Sequence, residues 1–273
     1  MKETEKIDQK TIGISKMPIN RMVNTIIDES YKSFNAVKNA GEKISHLTEI
    51  IYNKAVNGGR IIYIGAGTSG RIATQDVIEL YPTYGIGNNI FDYIMVGGKK
   101  ALYKSVENSE DNTEQAIIDL KRKYLNQNDI TIGISASGQT PYVLSALKYG
   151  KLLNVYTVGI VNNNGTEIEK IADYTIILNT GPEVIQGSTR MNAGTSQKIL
   201  LNTLSTSIAI LLGKTLDNAM GSMKSNFNKK LRERAINIIV QNFNISNKDA
   251  KNILSKHNYD IESAIGDIKG NHQ

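Results

Sequence analysis

From Ile19 to about Asn57, apolar residues return every three or four positions, through Met22, Ile26, Ile27, Val37, Ile44, Leu47 and Ile51, which is the period of amphipathic helices. At Arg60 the pattern changes to short, β-rich apolar runs: Arg60 to Ile64, Phe91 to Val96, Asp129 to Ile134, Asn154 to Ile160 and Tyr174 to Leu178. Helical stretches separate them, including one from about Ser69 to Leu80. Strands of this kind, alternating with helices, predict an α/β fold with a five-stranded parallel sheet covered on both faces. Ligands in such folds bind beyond the carboxyl ends of the strands. After the last strand the pattern predicts one helix from about Ala193 to Leu212 and another from about Leu216 to Phe243. Ile253, Leu254, Ile261, Ala264, Ile265 and Ile268 then continue at helical spacing, with Asn244 and Asp260 as caps, and read as a small carboxy-terminal helical appendage. Residues 1 to about 18 are polar and aperiodic, an arm expected to drape over a partner or to stay mobile. The chain thus divides into an arm with helices (1–56), a central α/β domain (57–220) and a helical subdomain (221–273).

Three loops rich in glycine and hydroxyl groups follow strand-like runs and precede helix-like ones: Gly65-Ala66-Gly67-Thr68-Ser69-Gly70-Arg71, Ser135-Ala136-Ser137-Gly138-Gln139-Thr140, and Gly187-Ser188-Thr189-Arg190. Glycine lets backbone approach a ligand, and a following helix N-terminus offers free N–H groups. Three such loops at strand ends predict one concave site for an anion, with a phosphate as the expected group. Ser135, Ser137 and Thr140 together exceed what one helix cap needs and match the several acceptor oxygens of a phosphate monoester. The first loop lacks the Gly-Lys-Ser/Thr ending of a P-loop and the acidic ribose-binding context of a dinucleotide fold, which disfavours nucleoside triphosphates and NAD.

Composition narrows the chemistry. Among 273 residues there is no Cys, which removes disulfides, thiolate metal sites and a Cys nucleophile and fits a reducing cytoplasm. The three histidines, His46, His257 and His272, lie away from the glycine loops and read as structural or surface residues; none pairs at metal-ligand spacing. The formal charge of +6 comes from scattered Lys and Arg on solvated helix faces, so no nucleic-acid partner is expected. Apolar runs such as Ile208 to Leu212 are far too short to span a membrane, and no signal segment opens the chain. Proton transfer would therefore fall mainly to carboxylates, Lys or Tyr. Glu79, Glu110 and Glu183 stand nearest the loops in sequence; Leu80, Tyr81 and Pro82 give Glu79 an apolar setting that would favour an acid.

The second loop resembles the phosphate loop of sugar isomerase (SIS) domains. Longer strings narrow the match: Tyr63 to Arg71, Pro82-Thr83-Tyr84-Gly85, Ser137 to Val143, and Gly187-Ser188-Thr189-Arg190-Met191 through Ala193-Gly194-Thr195 are similar to the N-acetylmuramic acid 6-phosphate etherase family. The resemblance implies a cytoplasmic, homodimeric SIS-fold lyase of amino-sugar metabolism that recycles peptidoglycan sugars with neither metal nor organic cofactor. A base would remove the proton next to the opened-ring aldehyde, an acid would protonate the departing lactate oxygen, and water would add to the unsaturated intermediate. By motif position Glu79 matches the acid, and Glu110, within Val106-Glu107-Asn108-Ser109-Glu110-Asp111, the second catalytic Glu and expected base. Gly67, Thr68, Ser69, Ser135, Ser137 and Thr140 match the substrate and phosphate contacts, and Glu183 and Ser188 would lie near the sugar.

Leu80-Tyr81, Ala73, Lys99 and Asn192 depart from the usual family pattern, and Asn192, where Lys is frequent, would weaken a contact to an anionic group. Two other readings stay open. One is a non-catalytic sugar-phosphate sensor like the glucokinase regulatory proteins, which are much longer and carry duplicated SIS domains. The other is an aldose-ketose isomerase, for which a base near Glu183 would suffice. If Ser69 to Glu79 is one straight helix, ten residues at about 1.5 Å each separate them by about 15 Å, too far for both to touch one hexose phosphate. A homodimer with a shared active site is therefore expected.

Overall fold

The apolar runs become five strands: β1 (Ile61–Gly65), β2 (Phe91–Met95), β3 (Ile130–Ser135), β4 (Tyr156–Val161) and β5 (Tyr174–Ile177). In the computed structural model, which describes residues 1–106 and 109–270, they form one sheet in the order β2-β1-β3-β4-β5. Every pairing is parallel, with Gly65 level with Met95 on one side and Ile134 on the other. The chain steps from β1 outward to β2 and then returns to β3, so the strand order reverses between β1 and β3. A crevice opens at such a reversal. The loops after β1 and β3, both rich in glycine and hydroxyls, stand side by side there.

Alternation along each strand divides the core. Ile61 and Tyr63 pack on one side with α1 (Ile19–Asn39), α2 (Gly41–Val56), α3 (Gly67–Tyr84) and, later in the chain, the long α8 (Asn192–Leu211). Ile62 and Ile64 pack on the other. There they meet residues of α5 (Thr113–Arg122), α6 (Pro141–Leu152) and α7 (Glu167–Ile171); the one-turn α4 (Gly98–Ala101) follows β2. Leu47, Ile51, Leu200 and Leu204 are fully buried, and each such side chain contributes about 1.5–3 kcal/mol on leaving water. A third apolar cluster, including Ala235, Ile239, Leu254, Ile261 and Ala264, lies among α9 (Lys229–Phe243), α10 (Asn247–Lys256) and α11 (Ile261–Gly270).

Two expectations change. The helix expected from Leu216 begins only at Lys229, because Gly213 and Asp217 take positive φ, Leu216 and Ala219 close a tight turn on each other, and the Asn228 side chain caps α9 at the Leu231 N–H. The amino-terminal arm is not loose. It forms three 3-10 turns at Glu3–Glu5, Gln9–Thr11 and Ile14–Lys16 and docks on its own chain, with Thr4, Asp8 and Thr11 buried.

Candidate active site

β1 ends where only glycine fits. A Cβ on Gly65 would come within 2.7 Å of the Gly70 backbone, and one on Gly70 within 2.8 Å of the Gly65 oxygen, so the pair lets the strand end touch the first turn of α3. Ala66, the N-cap of α3, supplies no side-chain acceptor. The first-turn N–H groups of an α-helix lack partners within the helix and favour an anion beside them.

The loop after β3 carries the hydroxyls. Thr140 stands at the N-cap of α6, yet its side chain makes no capping bond; its Oγ1 lies 2.8 Å from Ser135 Oγ, which is in turn 3.3 Å from Ser137 Oγ. The Gly138 N–H donates to Ser135 Oγ at 3.1 Å and the Gln139 N–H to Ser137 Oγ at 3.2 Å. Gly138 has φ +64°, and a Cβ there would meet Thr166 at 2.4 Å. Thr166 heads the capping box of α7 and is itself fixed. The backbone of Ala136 is held from below, accepting from Asn162 N at 3.1 Å and Asn163 Nδ2 at 2.8 Å.

These two loops enclose a cleft of about 370 Å3, closed by Glu110, Arg71, Thr189 and Glu5. Gly67, Thr68, Ser69, Ser135, Ser137, Thr140 and Glu110 are thereby brought to one place. Glu110 is exposed to solvent, its carbonyl accepts from Tyr142 N at 3.0 Å, and its Oε1 lies 3.2 Å from where a Cβ on Gly67 would sit. Its sequence neighbours Glu107 and Asn108 lie outside the described residues. Arg71 donates through Nε to the Ala101 oxygen at 2.8 Å and through Nη2 to Lys104 at 3.3 Å, tying the loop after β2 to the cleft rim.

Four residues from the sequence reading, Glu79, Glu183, Ser188 and Asn192, stand elsewhere. Glu79 is exposed on α3, away from the cleft wall, with Gln75 Nε2 3.4 Å from its carboxylate. The apolar enclosure expected for it from Leu80, Tyr81 and Pro82 is not formed around it, since Leu80 turns into the core while Tyr81, like Glu79, is exposed. Glu183 is fully buried and does not line the cleft: its two oxygens accept from the Asn192 and Ala193 N–H groups at 2.8 and 2.9 Å. Met191, the N-cap of α8, provides no acceptor, so Glu183 satisfies that helix end. Burial raises the Glu183 pKa, against the two N–H donors that lower it. Ser188 occupies the preceding turn, where its N–H donates to Ile185, and is also outside the cleft lining. Asn192 is buried, and its backbone and side-chain oxygens both accept from Ser33 on α1, so it is no part of the cleft wall.

Arg71 and Thr189 were visible within the first and third loops but had no signal separating them from their neighbours. Glu5 had none at all, because its place depends on how the arm docks.

The SIS domain profile matches residues 109–207, and the profile described as glucokinase regulatory protein N-terminal SIS domain matches residues 43–151. The N-acetylmuramic acid 6-phosphate etherase of Clostridium beijerinckii is 40% identical over 262 residues, 96% of this chain and 86% of the relative. That of Lactobacillus gasseri is 42% identical over 268 residues, 98% of this chain and 90% of the relative. Among solved structures, a phosphoheptose isomerase from Francisella tularensis shares the fold at a TM-score of 0.52 and 19% identity, over 70% of this chain and 98% of that one. With identity of this size running through nearly the whole length, the chain belongs to the N-acetylmuramic acid 6-phosphate etherase family.

Proposed function

We infer that the protein cleaves the D-lactyl ether of N-acetylmuramic acid 6-phosphate, yielding N-acetylglucosamine 6-phosphate and D-lactate by elimination and hydration. The observation that carries this reading is the convergence of three hydroxyls, a helix N-terminus and the Glu110 carboxylate on one cleft, in a chain with etherase relatives along nearly its full length. In this reading Ser135, Ser137, Thr140 and the amides of the first loop hold the phosphate. That places the ring beside Glu110, which takes the proton next to the opened-ring aldehyde. Glu79 protonates the departing lactate oxygen. Positioned acid-base groups of this kind contribute about 10²–10⁴-fold each.

Within one chain Glu79 does not reach the cleft, so the acid comes from a second copy. A surface for that copy exists. Ile19, Val23, Ile27, Tyr31 and Phe34 follow one another at four- and three-residue steps along α1 and are all exposed, at 46–79%. A stripe of that length on one helix face is unusual on a monomer. Residues 57–220 would hold the substrate, 1–56 would supply the arm and the dimer face, and 221–273 would form the appendage. No helix among the described residues is long and apolar enough to cross a membrane.

Mixing Glu79→Ala chains with Ser135→Ala chains tests the sharing. Recovery of D-lactate release in mixed dimers is expected, because one of the two sites is then intact. Proven heterodimers without recovery would overturn it. Folded protein that binds the sugar phosphate and releases no lactate would point to the sensor reading.

A further inference from the structure

The docked arm brings a second carboxylate to the cleft. Thr4 is anchored to the site's own framework: its N–H donates to Asn163 Oδ1 at 3.2 Å, its Oγ1 accepts from Asn163 Nδ2 at 3.1 Å, and its carbonyl accepts from Gly187 N at 3.3 Å. Asn163 Nδ2 also donates to Ala136 in the hydroxyl-bearing loop, so one side chain joins the arm to that loop. Beyond Glu5 the chain is fixed again, where buried Asp8 pairs with Lys32 on α1 and Lys32 pairs with Glu29. Gln186 Nε2 holds the Glu5 carbonyl at 2.8 Å.

Glu5 therefore sits on a backbone pinned on both sides, and it lines the cleft. Its Oε2 lies 2.9 Å from where a Cβ on Gly187 would stand, as Glu110 Oε1 lies 3.2 Å from the corresponding point on Gly67. The two carboxylates thus lie beside the third and first glycine loops respectively. Among the described residues the Glu5 carboxylate has neither a hydrogen-bond nor an ion-pair partner. An unpaired negative charge at the mouth of an anion site opposes phosphate unless a donor on the ligand meets it.

We propose that Glu5 is a substrate-positioning residue, accepting a hydrogen bond from a hydroxyl or amide N–H of the amino-sugar ring while the two loops hold the phosphate. This rests on the sugar-phosphate reading of the cleft. The same charge repels the lactyl carboxylate and so turns the ring with its ether away from the arm. Glu5 acts on orientation and affinity, and the proton transfers stay with the other carboxylates.

The test uses full-length Glu5→Ala and Glu5→Gln beside wild type. Km and kcat are measured for N-acetylmuramic acid 6-phosphate, and calorimetric affinities for N-acetylglucosamine 6-phosphate and for inorganic phosphate, with melting temperatures as a folding control. Glu5→Ala is expected to raise Km and to weaken the sugar phosphate tenfold or more, while inorganic phosphate binds as well as before or better. Glu5→Gln, which keeps an acceptor oxygen, should recover part of the sugar-phosphate affinity. Weakening of both ligands in parallel, or no change in either, would overturn the proposal. Absence of lactate release from wild type would instead remove the etherase reading, and the ratio of the two affinities would still decide the part played by Glu5.

Discussion

Asp76 offers a stability test with a definite sign. It lies on α3, 4% exposed, facing α8, where Ser205 Oγ stands 3.2 Å from its Oδ1; its Oδ2 has no partner among the described residues. Burial raises its pKa from 3.8 to about 6, against a lowering by Ser205 and Lys198. Nearby Tyr63 is also fully buried with an unpartnered hydroxyl, and its pKa is driven up by burial and by the Asp76 charge. The folded state thus holds the Asp76 proton more tightly than the unfolded chain does. Stability from this group is complete below about pH 4, falls as pH rises, and is lost above about pH 6. The total is about 3 kcal/mol, from roughly two pKa units at 1.36 kcal/mol each. Asp76→Asn keeps the shape and has no proton to lose. Urea unfolding at pH 4.5, 6 and 8 should therefore show the variant gaining on wild type as pH rises, by about 2–3 kcal/mol between the extremes. A difference between the two proteins that stays flat across that range would refute the assignment of a raised Asp76 pKa.

Other changes separate the parts of the site. Gly138→Ala puts a Cβ at 2.4 Å from Thr166 with φ at +64°, and should cost more than about 1 kcal/mol in thermal or urea unfolding, together with sugar-phosphate affinity. Ser135→Ala removes the hydroxyl shared by Ser137, Thr140 and Gly138; loss of one hydrogen bond to a charged phosphate, about 1.5–3 kcal/mol, should raise Km roughly ten- to hundredfold in steady-state assays. At Asp8, burial raises the carboxyl but hydrogen bonds from Lys32 and the Lys10 backbone outweigh it and hold the pKa low. Its pairing thus stabilises the arm above about pH 4 and is lost as pH falls below the ordinary carboxylate range. Asp8→Asn should mimic that loss at neutral pH, seen as faster amide exchange across residues 4–11.

The sheet was legible because buried parallel strands leave short apolar runs and because glycine marks where strand ends meet helices. Four of the five strands start or stop within about a residue of the runs that predicted them, while β4 starts two residues later than its run, after Asn154 takes positive φ and turns the chain. The hydroxyl cluster was legible for a chemical reason: three hydroxyls in six residues exceed a cap's needs, and Thr140 indeed leaves its cap unmade. The start of α9 was not, since the residues before it run in a course set by positive φ at Gly213 and Asp217. Nor was the burial of Glu183, because a carboxylate before a glycine loop reads alike whether it faces a ligand or a helix end. Glu5 lies some 180 residues from the loop it touches, as the hydrogen bond from Gln186 to its carbonyl shows, and no local pattern encodes such a meeting.

In the proposed reaction the carbon–oxygen bond on the sugar side breaks by elimination. Turnover of N-acetylmuramic acid 6-phosphate by wild-type protein in D2O and, separately, in H2¹⁸O, with both products weighed by mass spectrometry, tests it directly. Elimination and hydration should leave deuterium on the sugar carbon next to the aldehyde and a D-lactate free of ¹⁸O, because lactate leaves with the ether oxygen. Deuterium absent from that carbon, with ¹⁸O in the lactate hydroxyl, would contradict it.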